Sequence, residues 1–315
     1  MAIFFWVQNG RGCSSTVSLT GGFPGEALRQ PKAALNPSAF SVEAAEKWAL
    51  ERAAGLPADL FRLTALWYVN FVRQPVPGER KMRYTMKVAQ SENYGISAGL
   101  TRVMPDPDLV GQDTRQILKN GLCRDYVERT ALVDLVIRQV SRAADRQIML
   151  DDRPEAKYAA RSRLFADEAG NLFRRKGSKH LKGHTPHVLV IGATAGIIGA
   201  LVRRGLVVSA TDLCAAVVGK ELGGVRVLSG RTANARLMKD ADLTIITGMT
   251  LPNRTLSGLI TLAKKHNTST MIWAISGRNF GDYYTQHGVD CVISDPSPFL
   301  LLPGPATMAI WRRKN

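Results

Sequence analysis

Apolar and polar positions follow no sustained period over residues 1–40, where Gly, Ser, Thr and Pro are frequent. This predicts an extended N-terminal arm with one short strand at Ile3–Val7. The pattern changes at Ser41. SVEAAEKWALERAAG offers Ser41 as an N-cap, an acidic residue soon after it, and Gly55 at the far end, the marks of a helix. Three extended segments follow: Leu60–Arg73, aromatic and β-branched; Lys81–Gln90, which alternates as a half-buried strand does; and Tyr94–Val103. The turn PVPGE separates the first two, so a three-stranded antiparallel meander is expected. A short helix is predicted over Asp113–Asn120. Over Tyr126–Leu150 apolar residues recur at three- and four-residue steps, which predicts one long helix. Residues 41–150 thus read as a small α+β domain, an antiparallel meander plus helices.

Residues 151–186 read as a basic linker. DDRPEAKYAARSR suits a short helix, and NLFRRKGSKHLKGHTP mixes basic residues with glycines and a proline, so it should be exposed and mobile. From His187 the pattern alternates. The short apolar runs HVLVIG, LVVSATD, VRVLSG, DLTIITG, STMIWAI and VDCVIS are separated by helical stretches such as Leu256–His266. Strands recurring between helices predict a doubly wound parallel sheet over 187–315 with helices on both faces.

Composition narrows the function classes. Of 315 residues 45% are hydrophobic and 22% charged, which excludes global disorder. No apolar stretch approaches the roughly 20 residues that span a bilayer. MAIFFWVQNG has no basic residue before its short apolar run, so no secretory signal is read there and a cytoplasmic location is expected. Cys13, Cys123, Cys214 and Cys291 stand far apart with no CxxC pair, which argues against a disulfide framework or a zinc ribbon. The net charge, 42 − 26 = +16, favours anionic partners, although a solvated basic surface accounts for it equally well.

The candidate chemistry gathers at the loops that end the predicted parallel strands. In Gly192-Ala-Thr194-Ala-Gly196-Ile-Ile-Gly199 a strand enters a helix through small residues, which lets an anion approach the helix N-terminus. Asp212 ends the second strand, where a nucleotide-binding fold places its ribose acid; the glycine spacing departs from GxGxxG, and Asp212 suits a helix cap as well. Thr247-Gly248-Met-Thr250-Leu-Pro-Asn253 follows a central strand, with Thr250 or Asn253 also suited to capping the next helix. Ser276-Gly277-Arg278-Asn279 ends the strand after it, and Ser294-Asp295-Pro296-Ser297 the one after that. Polar loops along one sheet edge point to a ligand cleft. His180, His184 and His187 are clustered, but Pro186 interrupts them and the neighbouring Lys and Arg repel a cation, so no metal ligand is assigned. No catalytic residue is assigned either.

ADLTIITGMTLPNRTL resembles the strand, T-G-T-x-L-x-N-x-T-L and helix of the family labelled “putative heavy-metal chelation”. More loosely, NYGISAGL and LVGQDTRQILKNGLCRDYVERTALVDLVI are similar to that family's enolase-N-like domain. The resemblance implies a C-terminal Rossmann-like domain preceded by an enolase-N-like α+β domain, with a small ligand or metal chelate held between them. It places Thr247, Gly248, Thr250 and Asn253 on the cleft, with Gly192 and Ser276 on neighbouring loops. The chain departs from the pattern in its arm, its basic linker and its glycine-rich GATAGIIG turn.

The expected function is binding of a small anionic metabolite or metal chelate in the interdomain cleft, as an enzyme of metal-chelator or specialised-metabolite biosynthesis or as a binding protein. The alternatives are a nucleotide-cofactor enzyme using S-adenosylmethionine or a dinucleotide, and polyanion binding through the linker. The cofactors consistent with these readings are a transition-metal ion and S-adenosylmethionine. Nucleic acid is disfavoured, no membrane is expected, and a homodimer is left open.

Overall fold

The structure, a computed structural model, describes residues 36–73, 82–99, 101, 103–151, 153–176 and 185–314. The expected strand at 3–7, the arm to residue 35, the PVPGE turn, and His180 and His184 lie outside the described residues. Where the description begins, Pro37–Ala39 forms one 3-10 turn, and Phe40 stacks on Tyr284 with ring centroids 5.5 Å apart. The hydroxyl of Tyr283 donates to the Ala39 carbonyl at 2.6 Å.

Helix α1 is Val42–Ala53, and Ser41 caps it by accepting the Ala44 N–H. Strands β1 (Ala65–Arg73), β2 (Met82–Gln90) and β3 (Tyr94–Gly99) form the antiparallel meander, in that order. Helix α2 (Thr114–Lys119) begins at the Asp113 cap. Helix α3 (Tyr126–Val140), capped by Asp125, packs across β2 and β3. The long helix expected over Tyr126–Leu150 is therefore two elements. Ser141 is extended, and Arg146–Asp151 is a strand, β4, paired antiparallel with the last strand of the large sheet. A partner strand with open backbone groups prevails over local helical spacing.

Residues expected as a basic linker form the longest helix among the described residues, α4 (Pro154–Lys176). Leu164, Phe165, Ala169 and Leu172 bury one of its faces. Its charged residues on the buried side are paired: Arg161 with Asp295 at 3.1 Å, and Glu168 with Arg312 at 2.7 Å. Arg174 and Arg175 at its C-terminal end are exposed.

The remaining elements alternate: β5 (His187–Ile191), α5 (Ala195–Arg203), β6 (Val207–Asp212), β7 (Glu221–Leu222), β8 (Val225–Ser229), α6 (Gly230–Asp240), β9 (Leu243–Thr247), α7 (Leu256–His266), β10 (Ser269–Ala274), α8 (Gly281–Gln286), β11 (Cys291–Ser294) and β12 (Pro305–Arg312). The large sheet runs β4-β12-β11-β10-β9-β5-β6-β8-β7. Strands β8-β6-β5-β9-β10-β11 are parallel, and β7, β12 and β4 pair antiparallel at the two margins. Counted along the chain, the parallel strands stand in the order 3-2-1-4-5-6, that of doubly wound Rossmann-type folds.

The sheet divides the core in two. Val188, Val190, Ile245, Met271 and Ile293 face α4 and α5. The alternate residues Leu189, Ile246, Ile272 and Val292 face α6, α7 and α8, and that core continues into α1 and α3. Alternation along each strand fills both layers.

Candidate functional site at the domain junction

The strand order reverses direction between β5 and β9, and open α/β sheets bind ligands at the carboxyl end of that switch. Gly192 ends β5 there at φ +93°, a conformation that favours glycine. A Cβ at Gly192 would lie 2.5 Å from Thr247 Cγ2, so Thr247 fills the space beside the glycine turn. Thr194 begins α5 with no side-chain cap bond, and Gly196 leaves room for Ser162 of α4. The Asp212 carboxylate accepts the N–H groups of Ala193 at 2.9 Å and Cys214 at 2.8 Å. Burial holds its pKa above the ordinary carboxylate value against those bonds. It thereby ties the glycine turn to the loop after β6.

The next two loops meet the small domain. A Cβ on Gly248 would lie 2.5 Å from the Ser276 carbonyl, so the two loops are in close contact. Thr250 donates to the Thr247 carbonyl at 2.6 Å. Ser276 is fully buried; its hydroxyl accepts the Ala98 N–H at 2.8 Å and faces the Ala98 carbonyl at 3.2 Å. The Gly277 N–H donates to the Ile96 carbonyl. Asp134, buried on α3, accepts the N–H of Ile96 at 2.8 Å and the N–H of Asn279 at 2.8 Å. Ser276 and Gly277, chosen from the sequence as ligand contacts, thus dock β3 onto the end of β10. Asn279, the last residue of the polar loop Ser276-Gly277-Arg278-Asn279, completes this junction with Asp134, whose signal in the sequence is an acidic residue inside an apolar helix.

Beside the junction, Asp295 accepts from Arg161, the Trp273 indole at 2.9 Å, and the backbone N–H and hydroxyl of Ser297. The Nε atoms of Arg161 and Arg278 are buried and have no hydrogen-bond partner among the described residues.

Asn253 lies away from this edge. It is exposed, and its Oδ1 accepts the Thr255 N–H and hydroxyl, a local cap of the turn before α7. The next residue, Arg254, has φ +63° despite its side chain. A non-glycine residue in that region carries about 1–3 kcal/mol of strain and persists where its surroundings enforce it. Its guanidinium lies 4.2 Å from the Tyr126 ring centroid. This contact brings the loop over a recess of about 450 Å³ between the two domains. Lys119 and Gly121 at the end of α2, Cys123 and Asp125 before α3, Tyr126 and Arg129 on α3, and Glu46 on α1 form its other walls. The volume falls in the range of small-molecule sites, roughly 300–1,000 Å³.

Most charges of the recess are already paired. Arg129 meets Glu46 at 2.7 Å, and Asp125 meets the buried Lys87 at 3.0 Å. The Tyr126 hydroxyl donates to Glu43 at 2.9 Å, and burial followed by that bond pushes its pKa up to about 12, so it stays neutral. Lys119 and Arg254 have no ion-pair partner among the described residues, and both are exposed. The recess therefore presents net positive charge to solvent.

A metal ion fits this donor set poorly. Cys123 is the soft donor of the recess, and burial, with Glu128, Glu46 and Asp125 adding to it, pushes its thiol up to about 12. A metal ligand must be a thiolate, and three cations line the same space. Among the described residues no three His, Cys, Asp or Glu side chains gather as a metal site. His187 has both ring nitrogens engaged, at 3.0 Å with the Asp240 carbonyl and at 2.9 Å with Ser209.

Comparison with known proteins adds the family. The model of the family described as “Putative heavy-metal chelation” matches residues 180–292. A protein of unknown function of that family from Pyrococcus horikoshii is 12% identical, with 86% of this chain and 99% of that one covered and a TM-score of 0.45. Another from Desulfitobacterium hafniense is 15% identical, with coverage of 80% and 86% and a TM-score of 0.44. No curated protein matches. Over residues 180–292 the chain is thus similar to the family described as “Putative heavy-metal chelation”.

Proposed function

We propose that the protein binds a small anionic molecule in the recess where the loop after β9 meets α1, α2 and α3. The observation that carries this reading is Arg254: an exposed guanidinium, held at positive φ, stacked on Tyr126 and without an ion-pair partner among the described residues. Unpaired cations over a concave wall attract anions and fix them by charge-assisted hydrogen bonds. The family's description names heavy-metal chelation, and the protonated Cys123 thiol beside Lys119, Arg129 and Arg254 disfavours a bare metal ion in this recess. A metal enclosed in an anionic chelator suits it.

Thermal melting with citrate, phosphate and zinc chloride tests the reading. A ligand at about 100 times its Kd stabilises by about 2.7 kcal/mol, which raises Tm by several degrees. Citrate or phosphate should raise the Tm of the wild type beyond a sodium chloride control of equal ionic strength, and Arg254→Ala should lose that rise. Stabilisation by zinc chloride that disappears in Cys123→Ser, with none from either anion, would sink the proposal.

A further inference from the structure

We infer that the ligand of this recess is a dianion with its two charges on separate groups, one for Lys119 and one for Arg254. The inference rests on the reading that the recess binds anions and adds the charge and shape of the ligand. It follows from which charges around the recess are satisfied within the protein. Glu46 and Arg129 neutralise one another at 2.7 Å, and Asp125 is taken by Lys87, by the Thr101 hydroxyl and by the Glu128 N–H. Outside the lining, Asp113 is held by Arg115 at 2.6 Å, with a weaker electrostatic pull from Lys119, and Asp106 by Arg124 at 2.8 Å. Glu43 accepts from Tyr126 and lies 3.6 Å from Arg129. Among the described lining residues, the Lys119 ammonium and the Arg254 guanidinium are left without an ion-pair partner.

These two cations come from separate elements. Lys119 closes α2 in the small domain, and Arg254 stands in the loop after β9 of the doubly wound domain. A monoanion that engages one leaves the other unmatched. A compact dianion brings both charges to a single point. A molecule with an acidic group at each end can meet both while its middle spans the recess between them. A bidentate acid group on Arg254 gains from the planar fork of the guanidinium, and Lys119 acts as a point charge.

Calorimetric titration at low salt with butyrate, succinate, glutarate, adipate and inorganic phosphate tests this on the full chain. One of the three dicarboxylates should bind at least tenfold more tightly than butyrate and more tightly than phosphate. Lys119→Met and Arg254→Met should each reduce that dicarboxylate to the affinity of butyrate, with near-ultraviolet circular dichroism unchanged. Equal binding of butyrate and every dicarboxylate overturns the dianion and leaves the anion site standing. Tighter binding of phosphate than of any dicarboxylate overturns the separation of the two charges. Full dicarboxylate affinity in Lys119→Met overturns the role of Lys119. If no anion binds at all, the reading of the recess falls as well.

Discussion

At the scale of single residues the junction depends on Asp134, a carboxylate fully buried on α3. It accepts N–H groups from β3 and from the loop after β10, so one side chain joins α3 to both sides of the domain boundary. Burial pushes its pKa up to about 7, against the bonds from Ile96 and Asn279 and the positive charge of Arg278. A carboxyl whose folded pKa is raised contributes stability that is full below its unfolded value, near 4, and is lost as pH rises through about 7. The urea-unfolding free energy of the wild type should therefore fall between about pH 4 and 7 relative to Asp134→Asn, by a few kcal/mol in all. Parallel pH profiles of the two proteins would refute this assignment. The sequence marks Asp134 only as an acid inside an apolar helix, and its place at the junction depends on donors from segments distant along the chain.

At the scale of elements, what could be read depended on whether local pattern decided the outcome. Ser41, Asp113 and Asp125 cap their helices through bonds within four residues, and the meander alternates along its own strands. These features lie inside short windows of sequence. Helix α4 does not. Residues 151–186 read as a basic linker, yet Arg161 and Glu168 are buried because Asp295 and Arg312 meet them from the far end of the chain. The split between α3 and β4 has the same cause, since β4 is a strand only beside β12. A buried pair of this kind is destabilised strongly when one partner is removed, by about 3–5 kcal/mol. Asp295→Ala, which strands Arg161 and frees the Trp273 indole, should lose about that much in chemical denaturation. Asp167→Ala, whose partner Arg204 is on the surface, should change stability by less than about 1 kcal/mol. Equal losses in the two variants would contradict the burial of α4.

At the scale of the whole molecule, the doubly wound class and the small α+β domain before it were both legible, because six short apolar runs alternate with helices and a meander precedes them. For the site, the sequence points to the loops that end the parallel strands without showing which of their residues face a ligand. The polar loops do end the parallel strands, but the domain interface occupies several of them: Ser276 and Gly277 hold β3, Thr247 fills the space beside Gly192, and Asp212 binds the backbone of the glycine turn. Sequence alone does not show which of two partners, ligand or domain, claims a polar loop. Arg254 is not assigned a role from the sequence, because its significance lies in a positive φ and in the ring of Tyr126, a residue distant along the chain. No helix among the described residues is long and apolar enough to cross a membrane.

The measurement that tests the recess most directly is the affinity of Arg254→Gly for citrate, taken with its Tm. Glycine accepts φ +63° without strain, which offsets the loss of an exposed cation–π contact of about 0.5–1 kcal/mol. The variant should therefore melt within a few degrees of the wild type and bind citrate at least tenfold more weakly by calorimetry, about 1.4 kcal/mol. Wild-type affinity in Arg254→Gly, or a loss of affinity matched by early melting, would contradict the account.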